Sequence, residues 1–162
     1  MTERDSAPGA VDLSVRVGEV TLANPVLTAS GTFGYGLEYE GLLDVGELGG
    51  ICTKGLSLEP RAGNPPPRIC ETPAGMLNAI GLANVGVEVF CRDKLPALRD
   101  RNATVVPNIF GTSVDEFVRL AERLEGEAGI AALELNISCP NVQHGGIAFG
   151  VDPKMAEEVT RA

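Results

Sequence analysis

TVVPNIFGTSVDEFVRLAERLEGEAGIAALELNIS, residues 104–138, decides the fold class. TVVPNIF (104–110) reads as a short buried strand. Ser113 followed by Glu116 forms a capping box, and Phe117, Leu120, Ala121 and Leu124 supply the apolar stripe of a helix behind it. IAALELNIS (130–138) then reads as another strand. Strand, helix and strand in that order make a βα repeat, which implies parallel pairing with helices packed outside.

The same alternation extends in both directions. SVRVGEVTLA (14–23) alternates around Gly18-Glu19 and predicts a small amphipathic hairpin. PVLTAS (25–30) is a short apolar strand leading into the glycine-rich turn GTFGYG (31–36). A helix is expected over 37–46, and GGICTK (49–54) is the next buried strand. Val87, Phe90, Cys91, Leu95 and Leu98 recur at helical spacing, with Pro96 set against the second half of that helix. Asp152-Pro153 predicts a cap and first-turn proline opening a further helix.

This α/β pattern can close as an open doubly wound sheet or as a (β/α)₈ barrel. A barrel typically takes roughly 250 residues, and the chain reaches Arg161-Ala162 inside a helix with no fifth strand after it. Under the barrel reading, residues 1–12 are a polar amino-terminal tail. Residues 13–162 are then the hairpin and first four βα units of a TIM-barrel domain, an amino-terminal half.

Composition narrows the function classes. Thirteen basic against 22 acidic residues give a formal net charge of −9, which opposes non-specific binding to phosphate backbones. The opening MTERDSAPGA lacks the apolar core of a signal peptide, and no run approaches a membrane span, so a cytoplasmic protein is expected. With 4% aromatic residues and no Trp, the core is expected to be aliphatic. Cys52, Cys70, Cys91 and Cys139 include no CxxC pair, and Cys52 and Cys91 read as small core hydrophobes.

The strands end in Ser30, Lys54, Asn108 and Asn136. Carboxyl ends of parallel strands form the ligand face in either closure, so these polar ends, one of them a lysine, point to a site. The segment 57–86 carries five prolines and no periodic element, and its apolar residues predict an ordered loop over the strand ends. A second loop, CPNVQHGGIAFG (139–150), follows the fourth strand directly. Cys139 stands at its start, at the rim of the expected site. A partly exposed thiol there approaches the pKa a general base needs, although from position alone structural packing is the commoner fate of such a cysteine. The lone histidine, His144, makes no metal site.

GMLNAIGLANVG (75–86) and LNISCPNVQHGGIAFG (135–150), with ASGTFGYG (29–36), TKG (53–55) and RAGNPPPRICET (61–72), resemble the class 1B dihydroorotate dehydrogenases from about Leu13 onward. The resemblance implies a (β/α)₈ barrel preceded by a hairpin, in a full chain roughly twice this length. It also implies FMN at the carboxyl face and oxidation of (S)-dihydroorotate to orotate in pyrimidine (UMP) biosynthesis. By similarity, Ser30, Lys54, Gly55, Asn108 and Asn136 contact FMN, and Lys54 reaches the substrate carboxylate. Asn78, Ala79, Ile80, Gly81 and Leu82 hold the pyrimidine ring, Asn136 and Asn141 add substrate contacts, and Cys139 removes the C5 proton. The Asn78–Leu82 form resembles the NAD⁺-linked type, which implies a partner subunit carrying FAD and a [2Fe–2S] cluster and a homodimer within a heterotetramer. A dihydropyrimidine dehydrogenase-type flavoenzyme shares the Cys-Pro loop and is the rival reading. A half barrel that is inactive and binds FMN poorly on its own is the other.

Overall fold

The computed structural model describes residues 11–138 and 146–162. Strands β1 (Val15–Val17) and β2 (Val20–Leu22) form the antiparallel hairpin expected over 14–23, with Val15 opposite Leu22. Strand β3 (Leu27–Thr28) follows. The helix expected over 37–46 is absent, replaced by two single 3₁₀ turns, Leu37–Tyr39 and Val45–Glu47. Asp44 between them is extended and spends its carboxylate on the Gly46 N–H at 2.9 Å. A side chain that captures a nearby backbone donor in this way competes with helix propagation, and Gly41 lowers helix propensity further.

Strand β4 (Gly50–Cys52) is the buried strand expected there. The segment 57–86 corrects the reading of an element-free loop, because β5 (Ile69–Thr72) and β6 (Gly75–Asn78) pair antiparallel within it. All eight of their residues are exposed, so this hairpin has no core-facing alternation to betray it.

One continuous helix covers the next expected stretch, as α1 (Val87–Val89), a widened π turn (Phe90–Lys94) and α2 (Leu95–Arg99). Pro96 lacks the N–H a regular helix needs, and its ring would crowd the preceding turn. The wide turn just before it absorbs the mismatch, a common use of such bulges. Val87, Phe90, Leu95 and Leu98 therefore stay buried on one side.

The third strand runs as β7 (Val105–Val106) and β8 (Asn108–Ile109), split at Pro107. Helix α3 (Val114–Leu124) follows, then β9 (Glu134–Leu135). Strands β3, β4 and β7 pair parallel in that order, and β8 pairs parallel with β9. Bridges Leu56–Ile109 and Val105–Ile130 join the two groups along one strand line. Among the described residues the order follows the chain, without the reversal that marks the crevice of a doubly wound sheet.

Helix α3 begins as its sequence predicts, with Ser113 Oγ accepting from the Glu116 N–H at 3.3 Å. The Glu116 carboxylate reaches back one residue further than expected, to the Thr112 N–H at 2.6 Å. Phe117, Leu120 and Leu124 are buried beneath it. Removing the cap by Ser113→Ala in the full-length protein is expected to cost about 1 kcal/mol. A urea-unfolding midpoint that does not fall would show the cap to be idle.

Helix α4 (Gly146–Val151) occupies part of what reads as loop 139–150, and α5 (Pro153–Arg161) opens on the predicted Asp152 cap, which accepts from Lys154 N–H at 2.9 Å. Phe149 of α4 meets Phe117 of α3 edge to face, with centroids 5.7 Å apart. The core is largely aliphatic, as expected, with aromatic residues set into it. Phe90, Phe110, Phe117, Phe149 and Tyr35 are all buried alongside Ile51, Leu56, Leu98 and Ile109. The few aromatic residues are concentrated inside, where each covers more apolar area than an aliphatic side chain. Among the described residues, no helix is long and apolar enough to cross a membrane.

Candidate functional site

The parallel pairing brings the carboxyl ends of the strands to one edge. Thr28 ties β3 to β4 by accepting from the Cys52 N–H at 3.1 Å, and Ser30 lies two residues beyond, half-buried. Past β4, Thr53 is fully buried, and its hydroxyl donates to the Lys54 carbonyl at 3.0 Å and accepts from the Asn108 N–H at 3.2 Å. Lys54 N–H donates to Gly34 O at 2.7 Å. The Lys54 backbone is thus fixed on both sides. Its side chain is half-buried and has no salt-bridge partner among the described residues.

Gly55 permits the next contact. A Cβ there would stand 2.9 Å from Asn108 Oδ1 and 3.1 Å from the Phe110 ring. Only a residue without a side chain lets the Asn108 amide lie beside this strand end. Asn108 is 2% exposed, so its amide must find its partners inside the protein. Its Nδ2 donates to Glu134 Oε2 at 2.9 Å, and its Oδ1 accepts from Asn136 Nδ2 at 3.3 Å. Ser30, Lys54, Gly55, Asn108 and Asn136 therefore share one edge. Beside it, Ser57, Glu59, Arg61, Phe110, Thr112 and Glu116 line a cleft of about 230 Å³, with the Arg61 guanidinium 5.3 Å from the Phe110 ring centroid.

Residues 78–82 are held by a different set of bonds. Ala79 N–H donates to Arg68 O at 2.9 Å, Asn64 Nδ2 to Ala79 O at 2.8 Å, and Asn64 N–H to Ile80 O at 3.0 Å. Gly81 and Leu82 both take positive φ, 75° and 54°. For leucine that is a strained conformation, of the kind over-determined surroundings hold in place near functional sites. Asn84, buried, donates to Leu82 O and to Ser57 Oγ, both at 2.9 Å. This staples the segment three residues beyond Lys54. Asn78 and Ala79 are exposed, while Ile80, Gly81 and Leu82 are half-buried. No hydrogen bond among the described residues joins 78–82 directly to Lys54.

Cys139, Asn141 and His144 lie outside the described residues. The other thiols fare differently from one another. Cys91 is buried and Cys52 half-buried; burial pushes both above the ordinary thiol pKa, and for Cys52 the nearby Glu134 charge adds to it. Cys70 is exposed on the β5–β6 hairpin.

Sequence reading missed Thr53, Asn84 and Glu134. The third had a visible signal, a charged residue inside the otherwise apolar run IAALELNIS. The first two gave none, since a lone Thr or Asn near a strand or turn is commonplace.

The family model described as dihydroorotate dehydrogenase matches residues 12–162. Dihydroorotate dehydrogenase B (NAD(+)), catalytic subunit, of Solidesulfovibrio magneticus is 60% identical over 153 residues, covering 94% of this chain and 50% of the relative. The protein of the same name from Geotalea uraniireducens is 57% identical over 151 residues, covering 93% and 50%. The chain thus spans about half the length of the curated relatives it matches. A crystal structure of Eimeria tenella DHODH in complex with ferulenol superposes with a TM-score of 0.66 at 23% identity, over 82% of this chain and 38% of that one, a likeness of fold. With the strand order, the polar strand ends and matches over nearly all of its length in agreement, the chain belongs to the dihydroorotate dehydrogenase family.

Proposed function

We propose that residues 13–162 form the first half of a (β/α)₈ barrel which, in the whole protein, oxidises (S)-dihydroorotate to orotate. The observation that carries this reading is a partly exposed ammonium, Lys54, fixed by its backbone beside a row of asparagine amides at the carboxyl edge of parallel strands, with no acidic partner among the described residues. A buried or half-buried cation without a carboxylate of its own suits an anionic ligand. Dihydroorotate carries one carboxylate.

The residues present also fit FMN. Gly55 lets the Asn108 amide pack against the strand end, and the Asn136 amide that Asn108 holds leaves its Oδ1 without a partner among the described residues, a hydrogen-bonding group of the kind a heteroaromatic ring edge requires. Ser30, Lys54, Gly55, Asn108 and Asn136 would hold it. When bound, FMN supplies a two-electron acceptor for a hydride. Lys54 binds the substrate carboxylate, Asn78 to Leu82 with Asn136 and Asn141 orient the ring, and Cys139 takes the proton from C5. Loss of a proton from C5 and a hydride from C6 balances the conversion to orotate. In the assembled enzyme, a partner subunit holding FAD and a [2Fe–2S] cluster would supply the route by which electrons reach NAD⁺. The place of action is the cytoplasm.

Turnover by the full-length, flavin-containing protein tests the reading. Dihydroorotate is expected to be oxidised with a kcat/KM at least roughly 100-fold above that for dihydrouracil, because the latter leaves the ammonium unpaired. Preference for dihydrouracil would instead assign the dihydropyrimidine dehydrogenase-type activity.

A further inference from the structure

The Asn108–Asn136 pair is closed at one end by a charged group, and this has a directional consequence. An ionised carboxylate can only accept hydrogen bonds. Glu134 accepts from Asn108 Nδ2 at 2.9 Å, so the Asn108 carbonyl oxygen is the atom left to face Asn136. Asn136 must answer with its own Nδ2, at 3.3 Å. Its Oδ1 is then the free pole of the series, and it has no hydrogen-bond partner among the described residues. Asn108 cannot escape this choice. It is 2% exposed, its N–H is taken by Thr53 Oγ1, and Phe110 with Gly55 closes the space beside its amide.

We propose that Glu134 is a positioning residue that sets the polarity of this amide series, so that Asn136 presents a hydrogen-bond acceptor, and not a donor, to a ring N–H of the bound ligand. Resting on the functional reading above, this deepens it by naming what dictates the face Asn136 shows. Glu134 touches neither substrate nor flavin under this proposal. It acts through Asn108.

Glu134→Gln separates polarity from packing, because glutamine has the same shape and can both donate and accept. In the full-length flavin-containing protein, orotate is titrated through the visible absorbance of the bound flavin. Glu134→Gln is expected to weaken orotate about tenfold, as for a site group turned the wrong way. Flavin content and thermal midpoint should stay at parental values, which a merely structural role would not predict. In an Asn136→Ala background the same change is expected to add nothing further. An orotate affinity within twofold of the parent, or losses that simply add, would overturn the proposal. NMR of the asparagine side-chain amides provides a readout independent of substrate. One Asn108 Nδ2 proton should be downfield and slowly exchanging in the parent and lose both properties in Glu134→Gln. If the parent fails to bind orotate, the functional reading falls while this signal still judges the series, and its absence from the parent would sink the polarity claim.

Discussion

Replacing Lys54 with alanine in the full-length, flavin-containing protein is expected to lower kcat/KM for dihydroorotate by roughly 10² to 10³-fold, the usual cost of removing a preorganised charged donor from a reacting site. The backbone of Lys54 is anchored through Gly34 O and through Thr53, so the ammonium is offered by a rigid strand end and not by a loop. Fixing that backbone beforehand leaves only the side chain to be ordered when the substrate binds. Alanine leaves that backbone untouched, and the half-buried side chain it removes carries little of the core, so the fold should survive. Arginine is not expected to restore the rate. Its planar fork is longer and bulkier and cannot occupy the position of a compact ammonium. The loss should also depend on the ligand's charge, with orotate binding weakened strongly and uracil binding hardly at all. Equal weakening of both would mean that Lys54 supports the site's shape and not its charge complementarity. A kcat/KM within threefold of the parent would remove Lys54 from the chemistry.

How much of this was readable beforehand depends on whether a segment's fold is dictated locally. Helices α3 and α5 were legible because Ser113 and Asp152 cap them through their own side chains, and a cap works in any context. The strand ends were legible because parallel strands bury apolar runs on both faces, so Ser30, Lys54, Asn108 and Asn136 stand out at their limits. The stretch 37–46 was misread since its apolar spacing fits a helix while Asp44 diverts a backbone donor. The β5–β6 hairpin left no trace because Ile69, Met76 and Leu77 are exposed, so no burial pattern distinguishes its two faces. Pro96 warned of a break that a π turn then absorbed, an outcome set by the packing of Phe90 and Leu95. At the site, identity was easier to see than orientation. Asn108 and Asn136 could be named from the sequence, but the bond from Asn108 to Glu134 joins residues 26 positions apart, and only the register of β8 on β9 brings them face to face.

Cys139→Ala in the same full-length protein is expected to reduce kcat by roughly 10² to 10⁴-fold, the range attached to losing a positioned general base, while the flavin stays bound. Four cysteines are present, and the case for this one rests partly on what happens to the others. Cys52 and Cys91 are pushed up by burial and hold their protons at neutral pH, and Cys70 is on an exposed hairpin. In the sequence, position 139 comes directly after Asn136, Ile137 and the exposed Ser138, three residues past an amide of the series. The signature of a thiolate base is a rate that falls as pH drops through the thiol pKa, because protonation removes the acceptor. Serine at 139 keeps an oxygen able to take the proton but is far harder to ionise. Cys139→Ser is therefore expected to exceed alanine and to go on gaining rate at alkaline pH where the parent has levelled off. Cys52→Ala, by contrast, should leave the shape of that pH profile unchanged. Near-parental turnover of Cys139→Ala at neutral pH would transfer the base to another group, and a pH profile altered equally by the Cys52 and Cys139 variants would show that the titration belongs to the environment of the site and not to the thiol of residue 139.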